Sequence, residues 1–207
     1  MGKKMDALIM AGGLGKRLLN SKIHKNNFYN GRLEKPLLLI NNRPMIDYII
    51  SELKKSKRIN DIYVSVSKNT PYTREYLAKK YDLNIINTSG KNYIYDLNKC
   101  IPYFKGPFLT IPSDIPLINH QDIDKIIDYY LKFSFECLTV WIEERIYIGE
   151  PTLVYNGYVP SGINIMLPKK DIQKEERYLL NKPLINVNTY KDLKLVEDIL
   201  KTTTNKK

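Results

Sequence analysis

At 207 residues the chain is long enough for one domain with its own core and short for two. Apolar residues at 43% and charged residues at 27% are the proportions of a globular protein, and no apolar run approaches the roughly 20 residues of a membrane span. The net charge of +11 raises the question of a nucleic-acid partner. The lysines are dispersed among asparagine, isoleucine and tyrosine, the mark of A/T-rich codons rather than of a basic patch. We therefore expect no nucleic acid as main partner and read the positive field as suited to an anionic substrate such as a nucleotide.

The chain starts basic and then apolar, but residues 7–11 are too short for a signal-peptide core and lead into a glycine loop. They read as a strand, over 6–11, in a cytoplasmic protein. Residues 14–34 are polar and without periodicity; a loop this long inside a compact domain is usually functional. Lys35-Pro36 introduces the apolar run 37–40. Pro44 opens a helix with Met45, Ile46, Ile49, Ile50 and Leu53 on one face. A strand over 62–66 follows, then a helix from Thr70-Pro71 carrying Tyr72, Tyr76 and Leu77, then a strand over 83–86 that ends in Asn87-Thr88-Ser89-Gly90.

A modest helix is expected over about 93–101, and a buried strand over 108–111 that ends in Pro112-Ser113-Asp114. Asn119 caps a strong helix with Ile123, Ile126, Ile127, Tyr130 and Leu131 on one face. Residues 136–142 read as a strand and 143–166 as irregular β structure, with turns at Gly149, Asn156-Gly157 and 160–162. A short strand over 184–187 and a helix over about 190–200 complete a single domain, 1–200; residues 201–207 read as a disordered tail. Cys100 and Cys137 read as buried small hydrophobes, and His24 and His120 as surface or capping residues. This alternation implies an α/β fold, a mostly parallel sheet with helices on both faces, with the site beyond the carboxyl ends of the strands.

Three positions carry chemistry there. In Ala11-Gly12-Gly13-Leu14-Gly15-Lys16-Arg17 the glycines let backbone N–H groups approach phosphate oxygens, and Lys16 and Arg17 add charge for a triphosphate. The spacing is neither GxGxxG nor GxxxxGK[ST]. Lys35 is a candidate for an α-phosphate. Asp114, at the end of a buried strand and between Pro112 and Pro116, suits Mg2+, which takes one or two carboxylates and completes its shell with substrate phosphates.

Taken in order, AGGLGKR, EKPLL, PSDIP and NVNTYKDL resemble the nucleotidyltransferase family that activates sugar phosphates, molybdopterin and similar acceptors. The resemblance spans nearly the whole chain and implies a Rossmann-like fold of nucleotidyltransferase type. It also implies a magnesium ion at Asp114 with Asn188, and triphosphate contacts from Gly12, Gly13, Gly15, Lys16 and Arg17. Lys35 would meet the α-phosphate, and Arg17, Lys35 and Asp114 would be the catalytic groups. Within that superfamily the start of the chain and Ser161-Gly162-Ile163-Asn164-Ile165 resemble the archaeal GTP:adenosylcobinamide-phosphate guanylyltransferases. That narrower resemblance implies GTP and adenosylcobinamide phosphate as substrates, and base reading by Thr88, Ser89 and Gly90. An acceptor wall would come from Trp141, Gly162 and Asn164. Lys16 stands where many relatives have threonine or serine. Asn188 is neutral where many sugar-nucleotide enzymes have a second carboxylate, which favours one metal over two. Guanylylation of molybdopterin, nucleotidylation of a sugar phosphate, and non-catalytic nucleotide or RNA binding are the alternatives. No motif encodes oligomeric state, and a homodimer stays open.

Overall fold

In the computed structural model, which describes residues 2–21, 23–133 and 135–204, the chain begins with β1 (Met5–Met10) and the one-turn helix α1 (Lys16–Leu19). A small hairpin of β2 (Leu39–Ile40) and β3 (Arg43–Pro44) follows. Helix and strand then alternate through α2 (Met45–Lys55), β4 (Ile59–Ser67), α3 (Pro71–Lys80), β5 (Asn84–Thr88), α4 (Tyr93–Cys100), β6 (Phe108–Pro112) and α5 (His120–Phe133). The last part is β7 (Cys137–Glu143), β8 (Tyr158–Met166), β9 (Glu175–Leu179) and α6 (Tyr190–Thr204).

Seven strands form one sheet in the order β5-β4-β1-β6-β8-β7-β9. Every pairing is parallel except those of β8, which runs against both β6 and β7. Side chains alternate faces along a strand, and β1 shows what covers each. Ala7 and Ile9 join the core cluster under α2, α3 and α5, whereas Leu8 packs with Leu97, Cys100 and Ile101 of α4 and the turn after it. Helices therefore lie on both faces, as expected from the alternation. A third cluster packs Leu193 and Val196 of α6 against Leu18, Leu38 and Ile40, which seats α6 over the loop that carries Lys35. Among the described residues no helix is long and apolar enough to cross a membrane.

The structure departs from the sequence reading in three places. Residues 158–166, expected as irregular, form the nine-residue strand β8; β9 lies in a stretch for which no element was expected. Residues 184–187 form no strand. Leu184, Ile185 and Val187 are buried, but their backbone serves loops: Ile148 N–H donates to Leu184 O at 3.0 Å and Val187 N–H to Asp114 O at 2.9 Å. Finally, α6 continues to Thr204 instead of ending near 200, so residues 201–204, expected as tail, are helical; 205–207 lie outside the described residues.

Helix ends tie the layers together. Asn119 caps α5 as expected, its Oδ1 accepting from Asp122 N–H at 2.9 Å. Glu52 of α2 reaches the same end, accepting from His120 N–H at 2.9 Å with the His120 ring Nδ1 2.8 Å away. Burial acts to raise the Glu52 carboxyl, but the hydrogen bonds from Lys55 and His120 outweigh it and hold it at about 2. A carboxyl depressed on folding stabilises the fold above its unfolded pKa, near 4.5, and loses that contribution as pH falls toward 2. Glu52→Gln should cost about 1 kcal/mol in urea unfolding at neutral pH, and its deficit should shrink as pH drops from about 4.5 toward 2. A deficit constant across that range would contradict this role.

The cysteines are free, Cys100 buried and Cys137 half-buried. Burial pushes their thiols up, to about 12 and about 11, so neither is a nucleophile near neutral pH.

Candidate active site

Parallel strands bring their carboxyl ends to one edge, and β1 and β6 are neighbours there. The glycine loop leaves β1 with Ala11 N–H donating to Ser65 O at 3.0 Å. Gly15 has φ 64°, and a Cβ there would lie 3.2 Å from Lys35 Cβ. A side chain at Gly15 would be strained by the left-handed backbone and crowded by the Lys35 stem. The loop thus packs directly on the stem of Lys35.

Lys35 starts a single turn whose Pro36 and Leu37 are buried. Its position is fixed by Glu34, which accepts from Tyr72 N–H (2.9 Å), Thr73 N–H (2.7 Å) and the Thr73 hydroxyl (2.6 Å) at the start of α3. From this anchored turn Lys35 Nζ reaches Asp114 Oδ2 at 2.5 Å and Asn188 Oδ1 at 2.8 Å. Asn186 Nδ2 donates to the other carboxylate oxygen, Asp114 Oδ1, at 3.0 Å. Asn188 is held by a reciprocal cap on α6. Asp192 Oδ2 accepts from Asn188 N–H (2.9 Å) and Thr189 N–H (2.8 Å), while Thr189 Oγ1 accepts from Asp192 N–H (3.2 Å). Side chains from two distant stretches of sequence, Lys35 and Asn186, therefore converge on one carboxylate.

Two cavities meet at that carboxylate. The first, about 280 Å3, is lined by Ala11, Gly13, Gly15, Lys16, Arg17, Lys35, Asp114 and Asn188, among others. The second, about 170 Å3, includes Tyr147, Thr152, Leu153, Ser161, Gly162 and Asn186. Arg17, Pro112, Asp114 and Asn188 wall both. Arg17 spans the boundary, its guanidinium donating to Thr152 Oγ1.

Among the described residues no group of three or more His, Cys, Asp or Glu side chains could hold a metal. A magnesium site does not require one, since its shell is completed by water and substrate phosphates. A carboxylate oxygen and an amide oxygen already converge here on a cation, the Lys35 ammonium, so the donors fit a hard, oxygen-seeking ion.

The loop 88–90 lies beside the glycine loop. A Cβ on Gly12 would meet Thr88 Oγ1 at 3.3 Å, and Asn69 Nδ2 links Gly12 O (3.4 Å) to Gly90 O (3.2 Å). Its own donors are engaged internally. The Thr88 hydroxyl donates to Val66 O, and Asp96 Oδ1 accepts from the Ser89 N–H, the Ser89 hydroxyl and the Gly90 N–H. Asp96 is itself buried and shapes the loop.

The three acceptor-side residues divide. Gly162 lines the second cavity. Asn164 does not: its amide turns to Gly162 O (3.3 Å) and Thr110 Oγ1 (3.4 Å) on the same strand face. Trp141, 9% exposed, also stands off the cavity, beneath Arg177 and with its indole N–H donating to Thr139 Oγ1 at 2.7 Å. Its position in β7 turns it to the sheet face away from the main core, and Arg177 then covers it. Sequence reasoning did not single out Asn186 or Thr152. Asn186 sits inside the NVN motif and could have been found there; Thr152 had no such signal.

A floor shared by two cavities, with lysine and arginine entering from the glycine-loop side, suits the joining of two phosphorylated molecules. That is the geometry of a nucleotidyltransferase. The chain belongs to the family described as the MobA-like NTP transferase domain, which matches residues 7–170. It is 42% identical to the adenosylcobinamide-phosphate guanylyltransferase of Methanocaldococcus jannaschii over 206 residues, 95% of this chain and 98% of that protein. It is 24% identical to the "probable molybdenum cofactor guanylyltransferase" of Thermococcus gammatolerans, over 91% of this chain and 97% of that one. Its fold is shared by UDP-glucose pyrophosphorylase, with a TM-score of 0.72 at 12% identity over 97% of this chain and 99% of the other.

Proposed function

We propose that this protein transfers GMP from GTP to adenosylcobinamide phosphate, giving adenosylcobinamide-GDP and pyrophosphate in cobalamin biosynthesis. The observation that carries this reading is the 42% identity, end to end, with a guanylyltransferase of that acceptor. GTP would occupy the first cavity, its triphosphate against the backbone of Gly12, Gly13 and Gly15 and the side chains of Lys16 and Arg17. The acceptor phosphate would enter from the second cavity. One of its oxygens attacks the α-phosphorus in line; the new P–O bond forms as the bond to the β-phosphate breaks, and the electron pair leaves with pyrophosphate. A phosphate monoester is already ionised near neutral pH, so no strong base is needed, and no histidine lines either cavity.

Positioning and charge neutralisation then do the work. Lys35 sits within reach of both cavities and meets the α-phosphate, while Arg17 bears on the departing pyrophosphate. Asp114 with Asn188 would hold Mg2+, which supplies charge neutralisation on the phosphates when bound. GTP is a cytoplasmic metabolite, so the reaction belongs in the cytoplasm.

Guanine is favoured by the loop 88–90. Its N–H groups and hydroxyls point inward to Asp96 and Val66, so a base would be read there through carbonyl oxygens. Guanine presents adjacent donors at N1 and N2, whereas adenine has an acceptor at N1. A wrong base leaves buried polar groups unpaired, so we expect GTP to bind at least about a hundredfold more tightly than ATP. Calorimetry in the presence of magnesium measures this directly. Equal affinities would discard guanylyl transfer, and GTP binding without acceptor-dependent pyrophosphate release would leave a nucleotide-binding protein.

A further inference from the structure

The second cavity opens onto a stretch whose side chains have no structural reason to be apolar. Leu153, Val154 and Tyr155 are 58%, 38% and 53% exposed, and none of them belongs to the core clusters. Leu153 lines the cavity and Val154 and Tyr155 continue the chain away from it, and three consecutive exposed apolar side chains are the kind of patch that marks a binding surface. They are also held in place. Tyr155 and Tyr158 exchange backbone hydrogen bonds of 2.9 and 3.0 Å across Asn156 and Gly157, whose φ values of 50° and 77° make a tight two-residue hairpin turn. Ahead of them, Thr152 accepts the Arg17 guanidinium.

Behind this tongue lies a cationic, aromatic floor. The Arg177 guanidinium stands 4.3 Å from the Trp141 ring centroid and 5.5 Å from that of Tyr155, between the two aromatics. The cavity itself has a single carboxylate in its lining, Asp114, which already faces Lys35. A sugar phosphate would find its polar partners inside the cavity, at Thr152, Ser161, Asn186 and Asn188, and would leave the three exposed apolar side chains outside it unused.

We propose that the tongue of Leu153, Val154 and Tyr155, with Arg177 behind it, is the acceptor's docking surface, and that it takes a broad, flat, largely apolar face of that molecule while its phosphate arm reaches Asp114. This rests on the acceptor reading above and gives that reading a place on the molecule. Continuity with the cavity that reaches Asp114 is what assigns the surface to the acceptor and not to a second copy of the chain.

The test is Leu153→Ser/Val154→Ser, with Tyr155→Ser as an independent second variant; the first two side chains are exposed, and circular dichroism checks the fold. Kinetics are measured with adenosylcobinamide phosphate and with 1-aminopropan-2-yl phosphate, an arm fragment without the ring, alongside sedimentation velocity. We expect KM for the full acceptor to rise about tenfold with kcat within about threefold of wild type. The loss should be at least about fivefold smaller with the fragment, and the sedimentation coefficient unchanged. An unchanged KM, or an equal loss with the fragment, overturns the proposal. So does a dimer that falls to monomer with KM unchanged, which assigns the tongue to contact between copies. If wild type guanylylates a different acceptor, the same variants are measured with that one. A KM rise there keeps the docking surface and removes only the corrinoid reading, whereas no rise removes both.

Discussion

Asp114→Asn should fold as wild type does and release pyrophosphate at least about a hundredfold more slowly. The substitution conserves volume, and the new amide oxygen can still accept from Asn186 Nδ2, which now donates to Asp114 Oδ1 at 3.0 Å. The other side of the group changes sign. Where Asp114 Oδ2 accepts the Lys35 ammonium at 2.5 Å, the asparagine would present an N–H donor to a cation. The loss therefore has two parts: the site's one carboxylate toward magnesium, and the element that aims Lys35. Turnover by coupled pyrophosphate assay, with circular dichroism and thermal unfolding as controls, separates this from misfolding. A folded variant that releases pyrophosphate at near the wild-type rate would rule out Asp114 as the centre of the site.

Removing the ammonium itself should come close in size. In Lys35→Met the stem is kept, including the methylenes that pack on Gly15, while the charge that meets the α-phosphate is gone. Charge stabilisation of this kind contributes about two to three orders of magnitude to kcat, and KM for GTP should change far less because the interaction strengthens as charge builds. Lys35→Arg should not restore the rate. The point-like ammonium bridges Asp114 Oδ2 and Asn188 Oδ1 at 2.5 and 2.8 Å, and a planar guanidinium is a different shape for that gap. Magnesium binding without nucleotide, followed calorimetrically, should be at least as tight in Lys35→Met, since the ammonium no longer faces the same two oxygens. A variant with wild-type kcat would remove Lys35 from the chemistry.

What the sequence made legible was local. Gly12, Gly13 and Gly15 announce a turn whose backbone can approach a phosphate; Gly15 is indeed left-handed and against Lys35, Gly12 lies close to Ser67, and Gly13 faces open space. Asp114 stood out because a carboxylate follows a buried strand directly. The β half of the molecule was less legible. β8 contains Pro160 and Gly162, which read as loop punctuation, yet Gly162 is where this strand passes Pro112 and lines the second cavity. β9, Glu-Glu-Arg-Tyr-Leu, is an edge strand with little to bury, so hydrophobic periodicity could not find it. The run at 184–187 misled in the opposite direction: it is apolar and buried, but its hydrogen bonds go to loops around Asp114. Arg17 and Thr152 are 135 positions apart, a pairing that local pattern cannot encode.

The most direct test of guanylyl transfer to the corrinoid offers GTP, magnesium and three acceptors in one mixture: adenosylcobinamide phosphate, molybdopterin and glucose 1-phosphate. Mass spectrometry of the products reads the outcome without a coupled enzyme. We expect adenosylcobinamide-GDP as the dominant product, formed with one equivalent of pyrophosphate and absent when ATP replaces GTP. A guanylylated molybdopterin or a nucleotide sugar in its place, with the corrinoid recovered unchanged, would contradict the assignment of the acceptor and leave a nucleotidyltransferase of different specificity.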